Sequence, residues 1–263
     1  MTPQELNEDL ARRARLRLLQ MHFEAGAGHI GGNLSCLDIL LSLFHGVMSE
    51  ADAFVLSKGR SAGALYVTLW TLGAIADEEL RTFHKDGTRL SGHPPANAIG
   101  EIRFATGSLG HGLGLAAGIA LGRRFRNAPG HVYCLTSDGE WNEGSTWEAL
   151  IFAKHHALDL TFVVDLNGLQ GFGTTKEVAD LEPLADKLRA FGVHTQEVGG
   201  HDLGRLRAAL APDGARRGPR AVIARTRKGC GVPFMEDTME WHYLPLNAQQ
   251  YESAVAGLSG SLR

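Results

Sequence analysis

The chain reads as an α/β protein: a parallel β-sheet with helices on both faces. Three observations carry this expectation. Short strand-like runs at residues 53–57, 131–136, 160–164, 193–198 and 221–226 alternate with segments whose apolar residues recur at helical spacing. The run at 131–136 (His131-Val132-Tyr133-Cys134-Leu135-Thr136) and the run at 160–164 read as buried strands, as a sheet covered on both faces requires. The length, 263 residues, suffices for one large domain with a sizeable core, and the chain shows no repeat and no low-complexity linker.

Each element follows in order. Residues 6–23 form a basic amphipathic helix with Leu10, Ala14, Leu18 and Met21 on one face. Ser35 caps a second helix at 36–45. The strand at 53–57 runs into Lys58-Gly59-Arg60, then a helix at 62–72 and a short one at 77–84. Residues 90–100 are loop, centred on Gly92-His93-Pro94-Pro95. Residues 108–125 form a helix rich in glycine and alanine, whose small side chains permit close helix contact and mark a face for burial between subunits. Strand 131–136, helix 143–157 and strand 160–164 make one βαβ unit. A glycine-rich loop at 168–177 precedes helix 184–191, strand 193–198, helix 203–210 and strand 221–226. Residues 212–218 are a polar turn, not a domain boundary; 226–245 is a long irregular loop, and 247–256 a final helix.

Composition narrows the function. Lys and Arg number 26 against 29 Asp and Glu, a net charge of −3, and no long basic run exists, which argues against nucleic acid as a partner. Apolar stretches are broken by Gly, Asp or His before membrane-spanning length. Cys36, Cys134 and Cys230 are unclustered, and the N-terminus is acidic with no apolar signal region, so a cytoplasmic location is expected. The 33 glycines concentrate beside candidate strands, where they favour close backbone approach to a ligand.

Chemistry concentrates in Ser137-Asp138-Gly139-Glu140-Trp141-Asn142-Glu143-Gly144 and in Asp165-Leu166-Asn167-Gly168-Leu169. Each stands at the end of a strand of the βαβ unit, where an open α/β sheet places its ligand. Asp138 offers a carboxylate, Asn167 a side-chain carbonyl, and the backbone at Leu169 another oxygen. Hard oxygen ligands of low total charge suit Mg²⁺ shared with phosphate oxygens, with Ca²⁺ or Mn²⁺ as substitutes.

The spacing of 29 positions from Asp138 to Asn167 (167 − 138) resembles the metal–diphosphate motif of thiamine diphosphate enzymes. Further segments narrow the resemblance. Gly28-His29-Ile30-Gly31-Gly32-Asn33-Leu34-Ser35, Leu56-Ser57-Lys58-Gly59-Arg60-Ser61, Ser91-Gly92-His93-Pro94, Thr106-Gly107-Ser108-Leu109-Gly110-His111, Lys228-Gly229-Cys230-Gly231 and Trp241-His242 are similar, in order and spacing, to motifs of transketolases. The similarity runs from about residue 6 to about residue 246. Two positions depart: Ser137 stands where the family usually has Gly, and Arg60 where it commonly has His. Single-chain family members are more than twice this length, so the chain is expected to be the N-terminal subunit of a split transketolase.

The resemblance implies thiamine diphosphate, a diphosphate-binding domain spanning residues 1–263 with a C-terminal extension, and transfer of a two-carbon ketol unit from a ketose to an aldose. It implies that His29, His93 and His242 line the substrate channel as catalytic groups, since proton transfer at sugar hydroxyls needs groups titrating near neutrality. His242 also reaches the diphosphate. Arg60, a fixed cation with a donor fork, keeps the diphosphate role or reshapes the acceptor end. Ser108, Leu109, Gly110, Gly139, Glu140, Glu143 and Leu169 belong to the cofactor site, with Leu109 and Leu169 against its rings and Gly110 and Gly139 permitting backbone approach. Glu143 and Glu148 either face a subunit interface in a carboxylate network or are ordinary helix acids.

The family's pyrimidine-binding domain, with the glutamate that activates the aminopyrimidine, has no counterpart in the sequence. A partner subunit carrying it is expected, in a heterotetramer with two copies of each chain, with self-association of the isolated chain. Sugars or sugar phosphates are the implied substrates. A subunit of a 1-deoxyxylulose-phosphate-synthase-like or 2-oxo acid dehydrogenase-like enzyme is the alternative, against which His93-Pro94 and Trp241-His242 weigh. A non-catalytic cofactor-binding subunit is the other, against which the pair Asp138 and Asn167 weighs.

Overall fold

Among the described residues, five strands form one sheet: β1 Ala53–Leu56, β2 Val132–Ser137, β3 Leu160–Leu166, β4 His194–Gly199 and β5 Arg220–Arg225. Their order is β1-β2-β3-β5-β4, and each neighbouring pair is parallel. Successive strand side chains point to opposite faces, and here both faces are dry. Tyr133 and Leu135 of β2 enter one core, Val132 and Cys134 the other; Val163 of β3 joins the first, Phe162 and Val164 the second. The computed structural model describes residues 6–100, 102–214 and 217–260. Residues 1–5, within the N-terminal stretch expected to carry no signal region, and positions 215 and 216 of the expected turn, lie outside them.

The helices are α1 Glu8–Ala25, α2 Ile30–Gly46, α3 Ala62–Thr71, α4 Asp77–Leu80, α5 Gly112–Arg126, α6 Gly144–His155, α7 Thr175–Ala179, α8 Leu184–Ala190, α9 Leu203–Leu210 and α10 Ala248–Gly260. α1, α2, α3, α9 and α10 cover one face of the sheet; α5, α6 and α8 cover the other. α2 is the central helix: Ile30, Leu34, Leu37, Ile39, Leu40, Leu41 and Leu43 are all buried. Each such side chain stabilises the fold by about 1.5–3 kcal/mol relative to exposure. None of the described helices is long and apolar enough to cross a membrane.

Several boundaries differ from expectation. The helix expected at 36–45 begins at Ile30, so Ser35 lies inside it, fully buried, and is not its cap. Gly31 and Gly32 disfavour helix by about 1 kcal/mol each, but tertiary contacts override this. Asn33 donates to the carbonyls of His29 (2.8 Å) and Arg60 (3.1 Å) and accepts from the Ala64 amide (2.7 Å), tying α2 to α3. A Cβ on Gly31 would lie 3.1 Å from Trp241 Cβ, so the glycine lets the 241–243 segment close over α2. The helix expected at 108–125 starts only at Gly112, after a turn in which Gly110 has φ +82°. The loop at 168–177 contains a bridge between Leu169 and Thr174 and the start of α7, capped reciprocally by Thr174 and Glu177. The helix expected at 77–84 ends at Leu80, and the loop at 226–245 contains one helical turn, Glu240–His242.

Candidate cofactor and substrate site

Four strand ends meet at one edge of the sheet and supply the site. Lys58 follows β1, Asp138 follows β2, Asn167 follows β3, and Thr226 and Lys228 follow β5. Beneath them lies Asp165 of β3, wholly buried. It accepts hydrogen bonds from the Lys58 ammonium, from Ser35 Oγ (2.6 Å) and from the Thr226 hydroxyl. Burial raises the Asp165 carboxyl, but Lys58 and these donors carry it below the usual carboxylate range. The same pairing holds Lys58 above its usual range against its own burial.

Asp138 sits over this pair. Its Oδ1 accepts from the Gly139 amide (2.8 Å) and its Oδ2 from the Gly168 amide (2.7 Å), while its own amide donates to the Asp165 carbonyl (3.2 Å). Asn167 Oδ1 accepts from the Leu169 amide (3.1 Å), and its Nδ2 donates to Ser35 Oγ (3.2 Å). So the two expected metal ligands stand on adjacent parallel strands, with their turns hydrogen-bonded to each other. Burial, then the charge of Asp165, pushes the Asp138 carboxyl up to about 6. That is a buried carboxylate short of positive charge. A divalent cation with a hard-oxygen preference would fit this donor set.

A cavity of about 560 Å³ opens above these ligands. His29, Arg60, Leu109, Asp138, Gly139, Glu143, Asn167, Leu169 and His242 line it, as do Lys58 and Lys228. His29 occupies the N-terminal cap of α2 with φ +64°, a conformation that costs a non-glycine residue energy and aims its ring at the cavity. Its ring centroid lies 5.2 Å from that of His242. Lys228 Nζ donates to His242 Nδ1 at 2.8 Å. Burial, then Lys228, pushes His242 down to about 3; burial, then Arg60, pushes His29 down to about 4. Both imidazoles are therefore neutral at neutral pH, able to donate at one nitrogen and accept at the other. Lys228 is itself pushed down to about 8, by burial and then by Lys58.

Other expected residues lie elsewhere. His93 lines an adjoining chamber of about 240 Å³ that shares His29 and Arg60 with the first. Ser108 is exposed and does not line the cavity. The Glu140 side chain is wholly buried and turned into the protein. It accepts from Ser57 and from the amides of Gly110 (3.2 Å) and Ser137 (3.0 Å), so it braces loops instead of facing the cavity. Gly110 does not line the cavity; a Cβ there would meet Glu143 Cβ at 2.7 Å, so the close approach it permits is to the start of α6. Glu148 is exposed on α6.

Read from the sequence alone, Lys58, Asp165, Thr226 and Lys228 carry no site role, and Ser35 is only a helix cap. One signal was present: Asp165 is an acid within an otherwise apolar strand, which demands a buried partner.

Residues 7–258 match the family model described as transketolase, thiamine diphosphate binding domain. Over 256 residues the chain is 40% identical to an apulose-4-phosphate transketolase subunit of Phocaeicola vulgatus, covering 93% of this chain and 91% of that one. It is 37% identical over 244 residues to the 6-deoxy-6-sulfo-D-fructose transketolase subunit SqwG of a Clostridium species, covering 89% of each. The transketolase structure from Leishmania mexicana superposes with a TM-score of 0.87 at 26% identity, covering 97% of this chain but 42% of that one. Matched along nearly its whole length, by subunits of its own size and by part of longer enzymes, this chain belongs to the transketolase family and corresponds to its thiamine diphosphate-binding domain.

Proposed function

We propose that this chain is the diphosphate- and metal-holding subunit of a two-component transketolase, active in moving a two-carbon ketol unit from a ketose to an aldose. The observation that carries this is the juxtaposition of Asp138 and Asn167 on adjacent strand ends, at the floor of a cavity walled by His29 and His242. Asp138, Asn167 and the backbone carbonyl of Leu169 would hold Mg²⁺. Lys228 and His242 would face the diphosphate, and Leu109 and Leu169 the rings. When bound, thiamine diphosphate supplies the nucleophilic carbon and the electron sink for breaking the bond between substrate carbons 2 and 3.

The chain's own residues do the rest. Neutral His29 can accept a proton from a sugar hydroxyl at its free ring nitrogen, while His242, whose Nδ1 accepts from Lys228, presents Nε2–H as a donor to a substrate oxygen. Lys228 fixes the His242 ring by donating to its Nδ1, leaving Nε2 for substrate. Lys58 and Asp165 hold the strand ends in register beneath. A partner subunit with a pyrimidine-binding domain would close the cavity and contribute the activating glutamate, in a heterotetramer with two copies of each chain. The apulose-4-phosphate transketolase relatives at 40% and 35% identity, each named as one subunit of its enzyme, support a partner of this kind. A cytoplasmic setting is supported by free, buried Cys36 and Cys134.

The test is calorimetric. Asp138→Ala and Asn167→Ala should each weaken Mg²⁺-dependent thiamine diphosphate binding by more than the roughly 10–100-fold that even outer partners of a metal ligand cost. Unchanged cofactor affinity in both variants would overturn the metal assignment.

A further inference from the structure

Among the described residues, one cluster away from the cofactor cavity gathers reactive side chains from four parts of the chain. Arg15 comes from α1, Asp38 from α2, His201 from the turn between β4 and α9, and Cys230 from the segment after β5. A carboxylate oxygen of Asp38, a ring nitrogen of His201 and Cys230 Sγ all lie within 4.8 Å of one another. Asp38 is 1% exposed. Its Oδ2 accepts from the Arg15 guanidinium and sits 2.8 Å from His201 Nδ1. The guanidinium also reaches Cys230 Sγ. Gly231 leaves room for it, since a Cβ there would meet Arg15 Nε at 3.3 Å.

Two polar atoms of this cluster are left over. Asp38 Oδ1, an acceptor, and Arg15 Nε–H, a donor, are both buried and make no hydrogen bond among the described residues. A buried polar group without a partner is costly. The pair therefore suits a group that donates and accepts at once.

A metal ion is not such a group. Both ring nitrogens of His201 are already engaged, Nδ1 with Asp38 and Nε2 with the Arg227 amide, which donates to it at 2.8 Å. A cation at Asp38 would also face Arg15 and leave Arg15 Nε without an acceptor. A single oxygen on Cys230 Sγ does suit the pair: a sulfenic acid has an O–H to donate and lone pairs to accept.

The three cysteines differ in access. Cys230 is free and partly exposed, whereas Cys36 and Cys134 are wholly buried. Burial pushes the Cys36 thiol up to about 11 and the Cys134 thiol well above its usual range. Thiols meet oxidants as thiolates, so neither of these competes for one.

We infer that Cys230 is a reversible oxidation site for hydroperoxides, and that Asp38 Oδ1 and Arg15 Nε hold the sulfenic acid formed there. The sulfur attacks one peroxide oxygen; an S–O bond forms and the O–O bond breaks. Sulfur is oxidised by two electrons. The other oxygen leaves with the bonding pair, takes the thiol proton and departs as water or an alcohol. Two equivalents of a small thiol restore Cys230: the first expels water and forms a mixed disulfide, and the second releases the small thiol's own disulfide.

The experiment treats the full chain with hydrogen peroxide and traps sulfenic acid with dimedone, read by peptide mass spectrometry. The label is expected on Cys230, not on Cys36 or Cys134, and is lost when dithiothreitol precedes the trap. Arg15→Lys keeps the positive charge but removes the Nε–H, and should shorten the lifetime of the sulfenic acid about tenfold. A second measurement needs no variant: the oxidised chain should unfold on heating no earlier than the reduced chain, because the new oxygen satisfies two groups left over before. No label at Cys230, or equal label at the buried cysteines, overturns the oxidation site. An unchanged lifetime in folded Arg15→Lys, or an earlier thermal transition on oxidation, overturns the cradle made by Asp38 and Arg15.

Discussion

His22 shows how one residue can set an acid limit. It is 1% exposed on α1, and its Nδ1–H donates to the Leu18 carbonyl at 3.0 Å. Burial pushes it down to about 4 from the usual 6.5, with neighbouring His29 and His84 adding to the effect and the Leu18 bond opposing it. The folded state therefore binds this proton less readily than the unfolded chain. Its contribution to stability is complete above pH 6.5 and is lost as pH falls toward 4. The size is about 3 kcal/mol. His22→Gln should flatten the dependence of urea-unfolding stability on pH across that window; an unchanged slope would remove His22 as its source.

Between elements, the Lys58–Asp165 pair ties the end of β1 to β3, while Ser35 brings α2 and Thr226 the end of β5 onto the same carboxylate. Asp165 is wholly buried and Lys58 is 6% exposed, so neither charge has water to fall back on. Removing one partner strands the other, at about 3–5 kcal/mol, whereas replacing both with apolar groups costs far less. Lys58→Met alone should lower stability in chemical denaturation by that amount, and Lys58→Met with Asp165→Leu should recover much of it. A single variant as stable as the parent would mean that the pair does not hold the strand ends. The Asn33 clamp belongs to the same scale: its three hydrogen bonds stabilise helix at the glycine pair, where propensity opposes it.

For the molecule as a whole, the distribution of exposed apolar side chains is the informative feature. Phe172 is 91% exposed and Phe125 77%, and Ile151, Phe152, Val178, Tyr243 and Leu244 are also exposed. Phe172, Val178 and Tyr243 stand at the cofactor cavity; Phe125, Ile151 and Phe152 lie on α5 and α6, which pack together on one face of the sheet. Exposed Gly114 and Gly118 add a small-residue face to α5. Apolar patches of more than several hundred Å² are uncommon on monomers. The purified chain should therefore self-associate in light scattering. It should transfer no ketol unit with Mg²⁺ and thiamine diphosphate alone, and form a defined, active complex with a pyrimidine-domain subunit. Robust transfer by the single chain, free of contaminating transketolase, would refute the two-component proposal.

The primary structure by itself determined the order of strands and helices, the two-sided burial and the pair Asp138 and Asn167. Strand and helix periodicities are local, and Asp138 and Asn167 sit in short turns whose residues are adjacent in sequence. It also marked His29, Arg60 and His242, which the structure brings to one cavity with Asp138. What it could not show was direction and depth. Glu140 is two residues from Asp138 yet points into the protein, because the amides of Gly110 and Ser137 and the hydroxyl of Ser57 claim its oxygens. The start of α2 was hidden because the bonds that stabilise helix at Gly31 and Gly32 come from residues about thirty positions away. Partition of the histidines between two cavities, and the pairing of Lys58 with Asp165 across 107 positions, are long-range facts. Buried charges find partners through space, and only the closed fold decides which ones.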